Sequence, residues 1–139
     1  MRVSQKAEYA LRAMLELTLR DEQPQAVRTA DIARQQRIPE KFLELILVEL
    51  RRAGLITSQR GPVGGHRLAR RAREISVGDV WRAIDGTLRE NTARGGADDP
   101  FRKVWQEVEA AIAGVVNRVS LADIRKRAEA GQGVPDFSI

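Results

Sequence analysis

Residues 55–69 read LITSQRGPVGGHRLA. Two short β-prone runs, Leu55–Gln59 and His66–Ala69, flank Gly61-Pro62-Val63-Gly64-Gly65. Glycine and proline at such places permit a tight reversal that other residues would strain. The stretch therefore predicts a β-hairpin whose arms and tip carry Arg60, His66 and Arg67. By itself this is equally a solvated surface hairpin, and the residues before it decide between the readings.

Upstream, apolar residues recur at three- and four-residue spacing, the mark of helices with one buried face. A first helix from Ser4 to about Leu19 turns Ala7, Ala10, Leu11, Met14, Leu15 and Thr18 inward. The stretch Asp21–Gln25, with Pro24, ends it. Thr29 to Gln36 forms a second helix with Ile32 and Ala33 inward. A third begins at Pro39, a residue tolerated in a first helical turn, and runs to Ala53 with Leu43, Ile46, Leu47 and Leu50 on one face. Gly54 is a natural stop. Two short helices followed at once by a basic hairpin form the pattern of a winged helix-turn-helix. In that arrangement the second helix reads the major groove of double-stranded DNA and a basic β-tip enters the neighbouring minor groove.

Downstream, Ser76 and Asp79 open a further helix with Val77, Val80, Trp81 and Ile84 inward. Residues Gly86 to Asp99 are polar and read as a loop. The next helix spans about Pro100 to Val119, with Phe101, Val104, Val108, Ala111, Ile112, Val115 and Val119 in one apolar stripe and Trp105 beside it. That stripe exceeds what a small winged domain covers, so it predicts a dimerisation seam; packing on the first helix is the alternative. Ser120 and Asp123 start a short last helix, Leu121 to Ala130, and the tail Gly131–Ile139 is expected to be mobile. The expected fold class is mainly α with a small β-hairpin. Residues 1–85 form the winged helix-turn-helix domain and 86–99 a loop. The dimerisation helix and a short C-terminal helix occupy 100–130, and the tail 131–139.

The composition agrees. A chain of 139 residues is one domain with at most a small appendage, and its net charge of +5 suits an anionic partner. The chain has no cysteine and one histidine, which excludes disulfides, thiolate zinc sites and Cys-ligated iron–sulfur clusters. No nucleophile–base set, Walker loop or dinucleotide fingerprint is present, so neither an enzyme, a metal nor a cofactor is expected. No apolar run approaches the roughly 18 residues that span a bilayer. The start, Met1–Lys6, lacks a signal segment, and a cytoplasmic protein without a membrane partner is expected.

The first turns of the second helix of a helix-turn-helix face base edges. Here they offer Pro39, Glu40, Lys41 and Glu44. Lys41 suits a guanine edge or a phosphate, and Glu44 suits the cytosine amino group; the alternative for each is a solvated face. Arg51 and Arg52 suit phosphate contacts or surface charge rather than base reading. Ser4, Lys6 and Tyr9 lie where a phosphate could be bonded, packing being the alternative for Tyr9. Thr29 stands at a helix start whose free N–H groups attract anions.

Three strings now combine: KAEYALRA (6–13), DIARQQRIPEKFLELILVELRRAGLI (31–56) and RGPVGGHRL (60–68). Together they resemble the family of winged-helix regulators that includes IscR, NsrR and CymR, and the likeness continues through ISVGDVWRAIDG (75–86) and VSLADI (119–124). The resemblance implies a homodimer on crossed long helices that binds an imperfect palindrome and represses. It places the recognition helix at Pro39–Ala53, with Glu44 at the specificity position. It places Arg60, Gly61, Pro62, Gly64 and Gly65 in the wing that enters the minor groove.

The chain departs from the family in several places. Many members bind an iron–sulfur cluster through three cysteines in the loop where this chain has Leu88–Asp99 and no thiol. Glu8, placed like an extra ligand in some members, is then surface charge or a helix-dipole partner. Arg37 stands where the turn usually has Gly, and His66 where the wing has Tyr. These changes keep open a second class, a winged interaction module without DNA. A pocket between the winged domain and the long helix, lined by Trp81 and Trp105, is one expected ligand site, with core packing of both as the alternative. The tail Val134–Ile139 is similar to the Ile-ended tails that dock into cysteine synthase, which makes that enzyme an expected partner in the alternative reading; a loose end without a role is the other possibility.

Overall fold

The computed structural model describes residues 2–87 and 95–133. Helix α1 (Gln5–Leu19) is capped by Ser4, whose Oγ accepts from the Ala7 N–H at 3.0 Å. Its buried face is Ala7, Ala10, Ala13, Met14 and Leu17. The alanines leave room for backbones to approach, and α1 is the element around which the others gather. The expected face differs in part: Leu11 and Leu15 are half-buried, while Glu16 is buried beside Leu17. Glu16 is satisfied there by Arg20 Nε at 2.7 Å and Gln36 Nε2 at 3.0 Å, the latter on α2 (Thr29–Gln36). The two leucines line apolar hollows instead.

Between α2 and α3 (Glu40–Arg52) the chain reverses at Arg37, which adopts the left-handed region at φ 55° and ψ 48°. The Ile38 N–H donates to Ala33 O at 2.9 Å across this turn. A Cβ in that conformation crowds the following carbonyl, which is why glycine is favoured there. Helix α3 buries Leu43, Ile46, Leu47 and Leu50, the face the spacing predicts.

Strands β1 (Ile56–Gln59) and β2 (Gly65–Leu68) pair antiparallel, from Ile56 with Leu68 to Gln59 with Gly65. Leu55 and Ala69, expected in the strands, lie just outside them, joined by an Ala69 N–H to Leu55 O bond of 3.0 Å. Val27 adds a third, one-residue rung: its N–H donates to His66 O at 2.9 Å and His66 N–H returns to Val27 O at 2.8 Å. The loop before α2 thus fixes the root of the hairpin.

After a 3-10 turn (Ala72–Glu74), α4 (Val77–Asp85) opens with a complete capping box between Ser76 and Asp79. It buries Val80 and Trp81, with Val77 and Ile84 only partly covered. Asp85 ties the end of α4 to the start of α1: one carboxylate oxygen accepts from Trp81 Nε1 and from Ser4 N–H, each at 3.0 Å.

Helix α5 spans Arg102–Val116, shorter than the expected run to Val119. Val119 instead leaves the helix so that its carbonyl accepts the Val77 N–H at 2.9 Å, and Ser120 bridges Ser76. Helix α6 runs Leu121–Gly133, past the expected end at Ala130, and packs on α1 and the 3-10 turn. The expected docking tail, Val134–Ile139, and most of the expected cysteine-free loop, residues 88–94, lie outside the described residues.

Replacing Arg37 with glycine relieves the left-handed strain without removing any contact that holds the turn. Arg37→Gly should raise the free energy of unfolding by about 0.5–1 kcal/mol, whereas Arg37→Ala, which keeps the Cβ, should gain nothing. Urea denaturation of the two variants beside the parent protein checks this.

Candidate nucleic-acid interface

The outward face of α3 follows from its inward one. With Leu43, Ile46, Leu47 and Leu50 buried, the opposite face carries Glu40, Lys41, Glu44, Leu45, Arg51 and Arg52, all exposed, with Val48 half-buried and Pro39 exposed at the cap. A small hollow of about 100 Å³ lined by Glu44, Val48, Arg51, Thr29, Ser58 and His66 joins this face to the hairpin root. A second hollow, of about 270 Å³, brings Arg28 and Asp31 at the start of α2 beside Pro62, Val63 and Gly64 at the tip. The exposed face of α3, the start of α2 and the hairpin therefore form one continuous surface.

His66 holds that surface together. Thr29 Oγ1 lies 2.8 Å from its Nε2 and Ser58 Oγ 2.7 Å from its Nδ1, so both ring nitrogens are engaged between α2 and β1. A neutral ring offers one donor and one acceptor, and each hydroxyl can match either. Burial, and then the nearby Arg51 charge, push the His66 pKa below its usual value and favour that neutral form. The ring is thus a brace for the wing, and Thr29 is its partner.

Other expected interface residues are also spoken for within the fold. Arg67 donates through Nη1 to Gln23 O at 3.0 Å and through Nη2 to Pro24 O, clamping the loop after α1 onto β2. Ser4 caps α1 and bonds Asp85, and Lys6 Nζ meets Glu49 Oε1 at 2.6 Å. The Tyr9 ring stands edge-on to Phe42 with centroids 5.6 Å apart, and its hydroxyl lies 2.9 Å from Gln5 Nε2. Gly64 and Gly65 have internal reasons: a Cβ would sit 2.3 Å from Gln59 O on the first and 2.6 Å from Val27 O on the second. Gly61, at φ +102°, turns the tip.

By contrast, Lys41, Arg51, Arg52 and Arg60 are exposed, and among the described residues no hydrogen bond or ion pair holds their charged ends. Arg28 is in the same condition and was not singled out in the sequence. Its position immediately before the Thr29 helix start was the signal available.

Comparison with known proteins places the chain in a family. Residues 3–127 match Rrf2, described as an iron-dependent transcriptional regulator. The chain belongs to the Rrf2 family. It is similar to an HTH-type transcriptional regulator of Mycobacterium tuberculosis (strain ATCC 25618 / H37Rv), at 40% identity over 98% of this chain and 85% of that one. It is similar to IscR of Photobacterium profundum, at 35% identity over 91% of this chain and 76% of the relative. Among solved structures, T. potens IscR superposes with a TM-score of 0.83 at 34% identity, over 99% of this chain and 95% of that one. CymR, the global cysteine regulator of B. subtilis, superposes with a TM-score of 0.82 at 27% identity, over 91% and 98%. The fold is the winged helix-turn-helix of this family, and the chain is a DNA-binding transcriptional regulator.

The iron in the family description finds no donor set here. The chain has no cysteine, and among the described residues no group of three His, Asp or Glu side chains is placed to hold a metal ion. Glu8 lies exposed on α1. A thiolate-bound cluster does not fit this chain.

The lowered His66 pKa has a stability consequence whose sign is definite. Below the ordinary value of 6.5 the unfolded chain takes up a proton that the folded ring resists, so stability falls as pH drops from 6.5 toward the folded pKa. The unfolding free energy of the parent should therefore fall more between about pH 7.5 and pH 5.5 than that of His66→Gln, which cannot titrate there. Urea titrations at the two pH values measure the difference.

Proposed function

We propose that the protein acts in the cytoplasm as a homodimeric repressor, binding a palindromic operator without an iron–sulfur cluster. The observation that carries the dimer is the bare apolar face of α5. No residue of α5 is buried; Val104 is 48% exposed, Trp105 40%, Val108 39% and Val115 52%, and Phe101 at its N-cap is 61% exposed. Ala111 is exposed as well, and Ile112 is half-buried against the Ala7–Trp81 cluster. This face runs into an apolar hollow of about 400 Å³ between α1, α4 and α5, lined by Leu11, Trp81, Ile112 and Val116 among others. Trp81 lines it and Trp105 does not: Trp81 is core and Trp105 lies on the open face of α5. An apolar surface of this extent marks an interaction site, and a second α5 offers a self-complementary partner. Val119, also expected in the stripe, lies beyond the end of α5.

The DNA-facing part of the reading rests on the free cations of α3, α2 and the wing tip. Phosphate contacts from Arg28, Arg51, Arg52 and Arg60 position the protein, while Lys41 and Glu44 read base edges. The braced His66, Thr29 and Arg67 set the wing angle. A two-fold dimer requires half-sites about one helical turn, roughly 34–36 Å, apart, and occupancy of such a site blocks transcription from it.

Sedimentation at micromolar concentration should give about twice the 15.5 kDa chain mass. Val104→Asp with Val108→Asp should abolish the dimer; a parent protein that sediments as a stable monomer overturns the reading. In gel shifts against the DNA upstream of its own gene, Arg60→Ala should weaken binding and lower the salt slope by about 1, the value of one phosphate contact. Loss of all binding by the parent protein would favour the interaction-module alternative.

A further inference from the structure

Two of the exposed large hydrophobic side chains stand away from the chain start and the α5 region: Leu45, 62% exposed, and Val63, at the wing tip. A single exposed leucine on a protein surface is ordinary. Leu45 is distinguished by its company. Lys41, Glu44, Leu45 and Val48 fall at the i, i+3, i+4, i+7 spacing that lines up one stripe of a helix, and this stripe lies opposite the buried Leu43–Leu50 face. The stripe presents, side by side, a donor at Lys41, an acceptor at Glu44 and a bare isobutyl group at Leu45.

The floor of the major groove offers the matching set. Guanine presents acceptors, cytosine an amino donor, and thymine a C5-methyl group that is the groove's one apolar feature. A leucine has nothing to gain from phosphates, and the exposed arginines of this surface lie elsewhere, at Arg28, Arg51, Arg52 and Arg60. We propose that Leu45 is a specificity-determining residue that covers the C5-methyl of a thymine neighbouring the base read by Glu44. This rests on the DNA-binding reading above and adds to it a base and an atom.

The test uses a duplex enriched by the parent protein from a randomised DNA pool. Each thymine of one half-site is replaced in turn by deoxyuridine, which lacks only the methyl. Burial of one such group predicts that the parent protein binds roughly four-fold more weakly at one position and is indifferent at the others. Leu45→Ala, which keeps a good helix former at an exposed site, should bind the thymine duplex more weakly and lose the discrimination at that position. Its unchanged melting curve verifies folding. A parent protein indifferent to deoxyuridine throughout, or a Leu45→Ala protein that still discriminates at the same position, overturns the proposal while DNA binding stands. Failure of the parent protein to enrich any duplex overturns both.

Discussion

The fold depends on a close-packing constraint at α1. Ala7, Ala10 and Ala13 are all fully buried. Helices α2, α3, α4 and α6 and the strand β2 all contact α1, and a helix with large side chains along that face could not admit so many neighbours. Larger apolar residues enter where space opens, at Met14 and Leu17, toward the core shared with Ile32, Leu43, Ile46 and Leu50. Because α3, the hairpin and the helices beyond it rest on the same cylinder, α1 sets their mutual angles. A substituent added to Ala10 would move all of them, since interiors at this density shift before they compress.

The wing depends on a second constraint, the rung between Val27 and His66. A two-stranded hairpin of four-residue strands is marginal by itself. Here its root is pinned by two backbone bonds to Val27, by the two hydroxyls that hold the His66 ring and by the Arg67 clamp. Gly65 is part of that arrangement, because any Cβ there collides with the Val27 carbonyl. What the sequence presents as a cluster of DNA-facing polar residues is thus divided in space. His66, Thr29 and Arg67 hold the tip in place, and Arg60 with Arg28 remains free on the outside.

That division explains what the sequence could and could not disclose. Helical periodicity located α2 and α3 closely, since each has one solvent side and one core side, and the Ser76–Asp79 capping box was readable from its spacing. Periodicity failed on α1, where several neighbours leave more than one buried side and Glu16 turns inward to meet Gln36 of α2 as well as Arg20 one turn on. It failed at the end of α5, where Val119 is apolar and in phase yet is needed as a backbone acceptor for α4. The site was legible as a composition of charged residues. Which charges are spent internally was not, because Lys6–Glu49 and Arg67–Gln23 join residues more than forty positions apart. Leu45 was passed over for another reason: the spacing leaves it off the Leu43–Leu50 face, and a lone exposed leucine is ordinary until the residues beside it are considered.

The proposed interface also has a physical oddity, a pair of acids at Glu40 and Glu44 on the helix meant to approach a polyanion. Acids there weaken every non-specific encounter, since each carboxylate meets the negative potential of the phosphates. The same repulsion sharpens discrimination. A Glu44 carboxylate brought against a base edge without an amino donor is left desolvated and unpaired, which costs more than its hydrogen bond to cytosine returns. Leu45 works in the same direction, because an isobutyl group set against a polar edge loses the contact a methyl would make. Affinity then comes from the arginines around the rim, which are indifferent to sequence, and selection from two side chains that tolerate few bases. Such a separation lets the sequence preference change through positions 44 and 45 alone, without disturbing the braced wing or the alanine-faced helix beneath it.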